Sequence, residues 1–481
     1  MLRQAQHERS KGSARRIAIV LGLLVWFSCS WFGSWEGNPN NATRLFAAIS
    51  LVEDGDATID EFAPLTIDKA QFGGHFYLDK APGMTLMALP AVALADAVTG
   101  HRSAQASKLP DAPDMARFLR LRLRLAVASG PAVLAGIAAA LMFDLGLALT
   151  GSAAAALVGA VGFALGTPIW GWSTTILGHA AVASLYVMAL WALWRGSDRP
   201  GLMALAGAAL GWAVVVEYQA VLAGGVLALY GVVRVWRQPR QWVLLGATAA
   251  GGVAALLPMV GYNLIAFGTP FRVGYAGVVG FEGMNRGLFG LGWPDSRVVW
   301  ELIAGSQRGM LWVAPVLLLA IPGLLSMPQR GLARTAGAAA LVVLLVNAAY
   351  VYWDGGNATG PRHAVPLLGL LALGLAPFWA GLNRPGRIVS GGVLVLSVAI
   401  NLLIAACDIF APPTDPWPLH WVWVQHFRPG DVTSIAGDWW GWPEWSGPLV
   451  WAAVALPALA WLSRAAALHR AGPRISVLAS A

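Results

Sequence analysis

Apolar runs of bilayer length recur along this chain, and they constrain its fold more than any other feature. The stretch from Ile17 to Trp35 is followed by runs at about 125–147, 152–170, 176–194, 202–216, 217–235 and 243–266. Further runs lie at about 309–326, 335–353, 364–382, 389–411 and 448–466. A transmembrane helix needs about 20 consecutive apolar residues, and these runs reach or approach that length. They are continuous rather than striped, so they do not suit the half-buried helices of a soluble core. Only 12% of the 481 residues are charged and 57% are apolar, which excludes a disordered chain, a collagen-like chain and a disulfide-rich scaffold. The expected fold is all-α: a polytopic transmembrane helical bundle forming a single integral membrane domain over residues 1–481.

The net charge of +8 does not indicate nucleic acid. Basic residues gather in short segments between apolar runs, at Arg15–Arg16, Arg234–Arg240, Arg330–Arg334, Arg384–Arg387 and Arg464–Arg474, and none is interleaved with stacking aromatics. That distribution marks cytoplasmic loops. Cys29 and Cys407 both lie within apolar runs and imply no disulfide framework. The basic N-terminus followed by Ile17–Trp35, without a small-x-small cleavage site, reads as an uncleaved signal anchor. Parity then gives about twelve crossings with both termini cytoplasmic, provided that residues 202–235 form a hairpin and the short run Ala81–Ala97 does not cross. The alternative lets Ala81–Ala97 span and makes 202–235 one long tilted helix. The preferred topology leaves six Lys/Arg of residues 99–124 outside, a violation that the positive-inside rule tolerates in a long segment. The external segments are then 36–124, 171–175, 267–308, 354–363 and 412–447.

Eight of the 24 acids fall within residues 36–80. A solvated loop would account for a charge run, but the pattern is finer than that. Leu45 to Val52 reads as an amphipathic helix on the membrane surface, with Thr43 as its cap and Glu53-Asp54-Gly55-Asp56 as its end. Two Asp-Lys-Ala triplets follow, Asp68-Lys69-Ala70 and Asp79-Lys80-Ala81, with Gly73-Gly74-His75 between them. A carboxylate beside an ammonium suits group transfer from a lipid phosphate: the first takes a proton from an attacking hydroxyl and the second holds the leaving phosphate. A local ion pair that anchors the loop is the competing account.

The stretch Pro39–Pro82 resembles the first external loop of GT-C class membrane glycosyltransferases, and is similar to that of lipid A aminoarabinose transferases and protein O-mannosyltransferases. The element Phe76-Tyr77-Leu78-Asp79-Lys80-Ala81-Pro82 matches their Tyr-Phe-acid-Lys-Pro-Pro element, and Arg44 matches their Arg. The resemblance extends to Tyr262-Asn263, Phe267-Gly268-Thr269-Pro270 and Gly274-Tyr275, and to Trp353-Asp354-Gly355-Gly356 running on to Arg362-His363. It implies a sugar donor carried on a polyprenyl phosphate and a site beside the first external loop. The chain departs from the family pattern in three places. Asn41 stands where the catalytic Asp is expected, His179 lies near the position of the second external Asp, and Glu217 with Tyr218 replaces an expected Lys.

These readings converge on an inverting membrane glycosyltransferase with its active site outside, in the inner membrane of a bacterium. Lys80, Arg362 and Arg44 are expected on the donor phosphate. Asp79 is the first choice of base, with Asp68 and Asp54 behind it and His179 as a further catalytic group. Asn41, Lys69, His75, Tyr77, Glu217, Tyr218, Asn263, Tyr275 and His363 are expected to contact substrate. The acceptor is a hydroxyl of a lipid, glycan or protein, membrane lipids surround the chain, and no nucleic acid is involved. His75 or His179 with Asp79 would make a divalent metal site without tight ligand spacing. Seven Trp in residues 412–447 suit an interfacial belt or a lid over the site, and Asn41 and Asn357 open Asn-x-Thr sequons. A flippase or other transporter is the competing class. It would call for ionisable residues at mid-membrane and inverted repeats, whereas Asp144 stands alone in its apolar run.

Overall fold

A bilayer offers no partner to backbone polar groups, so apolar runs satisfy theirs by coiling. The computed structural model describes residues 2–469, with side chains from Gly12 onward. The basic end beyond His469, used above to orient the C-terminus, lies outside the described residues, as do the side chains of the first basic segment before Gly12. Helix α1 (Leu2–Trp31) leads into α2 (Pro39–Glu53), a β-hairpin of β1 (Ala70–Phe72) and β2 (His75–Tyr77), then α3 (Gly83–Thr99) and α4 (Pro113–Ser129). The bundle continues through α5 (Pro131–Thr150), α6 (Ala153–Ala164), α7 (Ile169–Trp172), α8 (Gly178–Arg195), α9 (Pro200–Val216), α10 (Ala220–Val235) and α11 (Gln241–Phe267). Next come α12 (Ser296–Ile303), α13 (Met310–Val313), α14 (Leu317–Ser326), α15 (Arg330–Ala348), α16 (Leu368–Ala372), α17 (Leu375–Gly381) and α18 (Arg384–Ala406). Two short helices, α19 (Pro418–Trp421) and α20 (Ile435–Trp440), precede α21 (Ser446–Leu468).

Among the described residues six helices are long and apolar enough to cross a membrane, or seven if the pair bent by 42° between Ala372 and Leu375 is one span. Several apolar runs are therefore broken. The run at 152–170 is helical only to Ala164 before the turn at Thr167-Pro168, and the run at 309–326 is interrupted at Ala314-Pro315 between α13 and α14. Proline removes a backbone donor and crowds the preceding turn, which accounts for breaks at these places.

Residues 202–235 do form a hairpin. Seven residues either side of Glu217, Leu210 packs against Gly224, with 3.7 Å between Leu210 Cδ2 and the place a Gly224 Cβ would take. At the far end Arg234 donates to the Trp194 carbonyl at 3.2 Å, just ahead of α9. Glu217 sits at the tip, as the backbone breaks between α9 and α10.

The chain also leaves and rejoins the same end of α1 across residues 36–124. Arg124 on α4 donates to the Phe32 carbonyl at 2.6 Å, while Lys108 pairs with Glu61 at 3.4 Å and Ser103 N–H with Glu53 at 3.0 Å. Three more of the six bases that strained the charge rule pair with acids: Arg120 with Glu36 at 2.7 Å, Arg122 with Asp96, and Arg124 with Asp438.

Three local expectations are corrected. The fold is not purely helical, because Gly73 and Gly74 adopt positive φ (58° and 90°) and turn the chain into a two-stranded antiparallel sheet. The helix of the first external segment starts at Pro39, with the Asn38 side chain as its cap instead of Thr43. It does not lie on a surface, since every residue from Asn40 to Ser50 is buried, polar ones included. Finally, Asp144 is a structural partner: it binds Arg195 at 2.8 Å and accepts from the Trp191 indole at 2.7 Å.

Candidate active site

The β-hairpin sets the direction in which the chain reaches Asp79. Tyr77 pairs with Ala70 across the hairpin and also bridges to Thr58, while Ala70 bridges on to Val278. Leu78 and Asp79 then pass directly beneath Gly274, where a Cβ would stand 2.5 Å from the Leu78 oxygen and 3.2 Å from the Asp79 Cα. Only a residue without a side chain lets these backbones meet. Asp79 is fully buried. One of its oxygens binds Lys80 Nζ, and the other, Oδ1, is buried with no hydrogen-bond partner. Lys80 Nζ lies 3.6 Å from Asp68, and its side chain keeps 19% of its surface exposed.

Helix α2 brings Arg44 to the same place from below. Its guanidinium binds Asn40, and its other terminal nitrogen lies 3.4 Å from Glu217 Oε1 at the hairpin tip. The Arg44 side chain is only 2% exposed and its Nε has no partner. Glu217 thus pairs with an arginine of α2, and it also lines a cavity. Gly178, at the start of α8, packs so close to Glu217 that a Cβ would overlap the carboxylate. Asn41 is engaged twice: its amide donates to the Trp35 carbonyl at 3.0 Å and its oxygen accepts from Ile176 N–H at 3.1 Å. It ties α2 to the turn before α8.

The cavity lies between α8, α10, α15 and the 3₁₀ turn Arg362–Leu367. His179, Glu217, Asn347, Tyr350 and His363 form its polar end, and its walls include Val182, Ala223 and Val343. The His179 and His363 rings stand 5.0 Å apart edge to face, and Tyr350 meets His363 at 5.4 Å. His363 Nδ1 and Asn347 Oδ1 are buried with no partner. Arg362 is positioned by the turn before it. Buried Arg308 donates to the carbonyls of Asp354 and Gly356 at 2.7 Å each, and Gly355 (φ 73°) packs against the Arg362 side chain. The Arg362 Nε is a further buried donor without a partner.

Burial raises the pKa of Asp79, and Asp68 adds to this, while Lys80 and Arg44 oppose it. For Lys80 burial works against the ammonium, but Asp79 and Asp68 outweigh it and hold the group above its ordinary range. Burial also raises Glu217, against the opposing effects of Arg44, Lys80, Arg362 and the Gly178 amide. Tyrosines close the site. Tyr218 and Tyr275 meet edge to face at 5.2 Å, and burial lifts both phenols above their usual range, as it does for Tyr350.

Asp79, Lys80, Asp68, Arg44, Glu217, His179, Arg362, His363, Tyr218 and Tyr275 are thus gathered around one locus. Other expected residues lie apart from it. Asp54 is the exposed end of α2. His75 sits at the exposed hairpin tip, 2.6 Å from Asp60. Lys69 donates to the Ala63 carbonyl at 2.5 Å, Tyr77 packs on Phe267 at 5.3 Å, and Asn263 donates to the Pro270 carbonyl at 2.9 Å. Among the described residues no three His, Cys, Asp or Glu side chains converge with the spacing of a metal site. Six of the seven Trp in residues 412–447 expose two-fifths or more of their surface. Asn347, Tyr350 and Arg308 escaped the sequence reading. A polar Asn within an apolar run is the signal that would have flagged the first; Arg308 carries no such mark.

No protein-family model matches the chain, and no curated protein sequence matches it. Its fold is similar to that of ArnT from Cupriavidus metallidurans in the apo state, with a TM-score of 0.50 and 17% identity over 95% of this chain and 75% of that one. The same enzyme bound to undecaprenyl phosphate gives 0.49 and 16%, with the same coverage. An oligosaccharyltransferase from Archaeoglobus fulgidus gives 0.42 and 12%, over 98% of this chain and 57% of that one. At these identities the likeness is one of fold.

Proposed function

We propose that this protein is an integral membrane glycosyltransferase of inverting type. It takes a sugar from a polyprenyl-phosphate donor and delivers it to an acceptor hydroxyl on the external face. The observation that carries the reading is the convergence of Lys80 and Arg362 with Asp79 and Glu217 beside a cavity whose polar end holds unpaired hydrogen-bonding atoms. Among the buried polar atoms without partners, Arg44 Nε, Asp79 Oδ1, Asn347 Oδ1, Arg362 Nε and His363 Nδ1 belong to this locus, where a ligand would satisfy them.

In the reaction the acceptor oxygen attacks the anomeric carbon on the face opposite the phosphate. The bond from that carbon to the phosphate oxygen breaks, and the polyprenyl phosphate leaves with the electron pair. Lys80 and Arg362 offset the charge that develops on it, in a site from which most water is excluded. Arg44, held by Asn40 and Glu217, supports the arrangement from α2. A carboxylate of the cluster takes the acceptor's proton. A twelve-crossing topology with both termini cytoplasmic supplies the required sidedness. The 202–235 hairpin and the return of residues 36–124 to the end of α1 support it.

Transfer from polyprenyl-phosphate sugars by the purified protein tests the reading. Lys80→Ala and Arg362→Ala should each lower kcat/KM by roughly a hundredfold or more, the scale of losing one preorganised charge donor. Translocation of the lipid-linked sugar without transfer would instead identify a flippase.

A further inference from the structure

Two carboxylates compete for the role of base, and their access to substrate differs. Asp79 has no exposed side-chain surface: one oxygen is spent on Lys80 and the other is sealed from the cavity. Glu217 lines the cavity, and its side chain retains 7% of its surface. A general base must come within hydrogen-bond reach of the proton that it removes, so geometry precedes acidity. We infer that Glu217 is the catalytic residue that takes the acceptor's proton, and that Asp79 is a positioning residue that holds Lys80 against the donor phosphate.

The surroundings of Glu217 fit the role. Asn347 Oδ1 and His363 Nδ1 share its cavity and lack partners, so a hydroxylated group entering there meets free hydrogen-bonding atoms in addition to the carboxylate. Arg44 at 3.4 Å fixes Oε1 from one side, and Gly178 allows the carboxylate to lie flat against α8 from the other. Burial makes Glu217 a stronger base than an exposed glutamate. The step balances: the O–H bond of the acceptor breaks as its oxygen bonds to the anomeric carbon, the proton passes to Glu217, and the electron pair of the broken sugar–phosphate bond leaves with the lipid phosphate.

The inference rests on the glycosyltransferase reading, and one set of assays separates the two. Transfer rates are measured against pH for wild type, Glu217→Gln, Glu217→Ala, Asp79→Asn and Asp79→Ala, each checked for folding by gel filtration and thermal unfolding. Glu217→Gln should lower kcat by roughly a hundredfold or more with donor KM within about threefold, and it should lack the acidic limb of the pH profile. That limb lies above the ordinary glutamate range in the wild type, because the base works only when ionised and loses activity as pH falls through a raised pKa. Added formate should restore transfer to Glu217→Ala. Asp79→Asn should raise donor KM and keep the acidic limb. Full kcat in Glu217→Gln, or formate rescue of Asp79→Ala but not of folded Glu217→Ala, overturns the assignment while leaving the enzyme reading intact. A wild type that transfers no sugar overturns both.

Discussion

Gly178 and Gly274 show how single residues shape this site, and they do so in different ways. An added methyl at Gly274 meets the backbone of Leu78 and Asp79, which has nowhere to go. Gly274→Ala should therefore destabilise the fold by about 1–3 kcal/mol, the usual cost of overpacking, read as a lowered midpoint in a denaturant titration. At Gly178 the obstacles are side chains, the Glu217 carboxylate and, at 2.8 Å from the place a Cβ would take, Val216 Cγ1. Gly178→Ala should lose most of its transfer rate together with some stability, because Glu217 is pushed off Arg44 and out of the cavity. A Gly178→Ala protein with full transfer rate would contradict this role of Glu217. The same contrast explains which site residues were legible in the sequence. Asp79 and Lys80 announce themselves as neighbours in the chain, whereas Glu217 gains its importance only from Gly178 and Arg44, 39 and 173 positions away by residue number. His75 was a candidate metal partner for Asp79 without tight ligand spacing, and the Gly73-Gly74 turn places it at an exposed hairpin tip beside Asp60.

At the scale of elements, α4 is the piece that sequence rules treated as an exception. Its Arg120, Arg122 and Arg124 face acids supplied by three different segments, and Arg124 and Asp438 are mostly buried, at 9% and 12% exposure of their side chains. Removing one partner of a buried pair strands the other charge, at a cost of about 3–5 kcal/mol. Asp438→Ala should destabilise on that scale and loosen α20 from α4. The double variant Arg124→Met with Asp438→Leu should recover much of the loss in the same unfolding titration. An Asp438→Ala protein as stable as wild type would show that the clamp contributes little. Broken helices were the other element-level surprise. Apolar length alone does not reveal that Pro168 and Pro315 interrupt runs of bilayer length, since a proline in an apolar run can kink a helix without ending it.

For the whole molecule, the proposed sidedness makes a direct prediction. Pro110 is exposed in the segment that returns to the end of α1, and Pro239 is exposed in the basic loop after α10. Both native cysteines, Cys29 and Cys407, are buried and give little background. In intact cells Pro110→Cys should react with a membrane-impermeant thiol reagent, and Pro239→Cys should react only after permeabilisation. Protection of the first would overturn the twelve-crossing topology.

The sequence by itself determined that the chain is helical and apolar, because hydrophobic length acts locally along the chain. It also pointed to the acid–Lys pair, which needs no fold to be seen. The location of Glu217, Asn347 and His363 in one cavity was decided only by tertiary structure, through a hairpin tip, a helix end and a turn held by Arg308. Such convergence depends on which backbones can approach closely, and that is a property of packing rather than of any residue's neighbours in sequence.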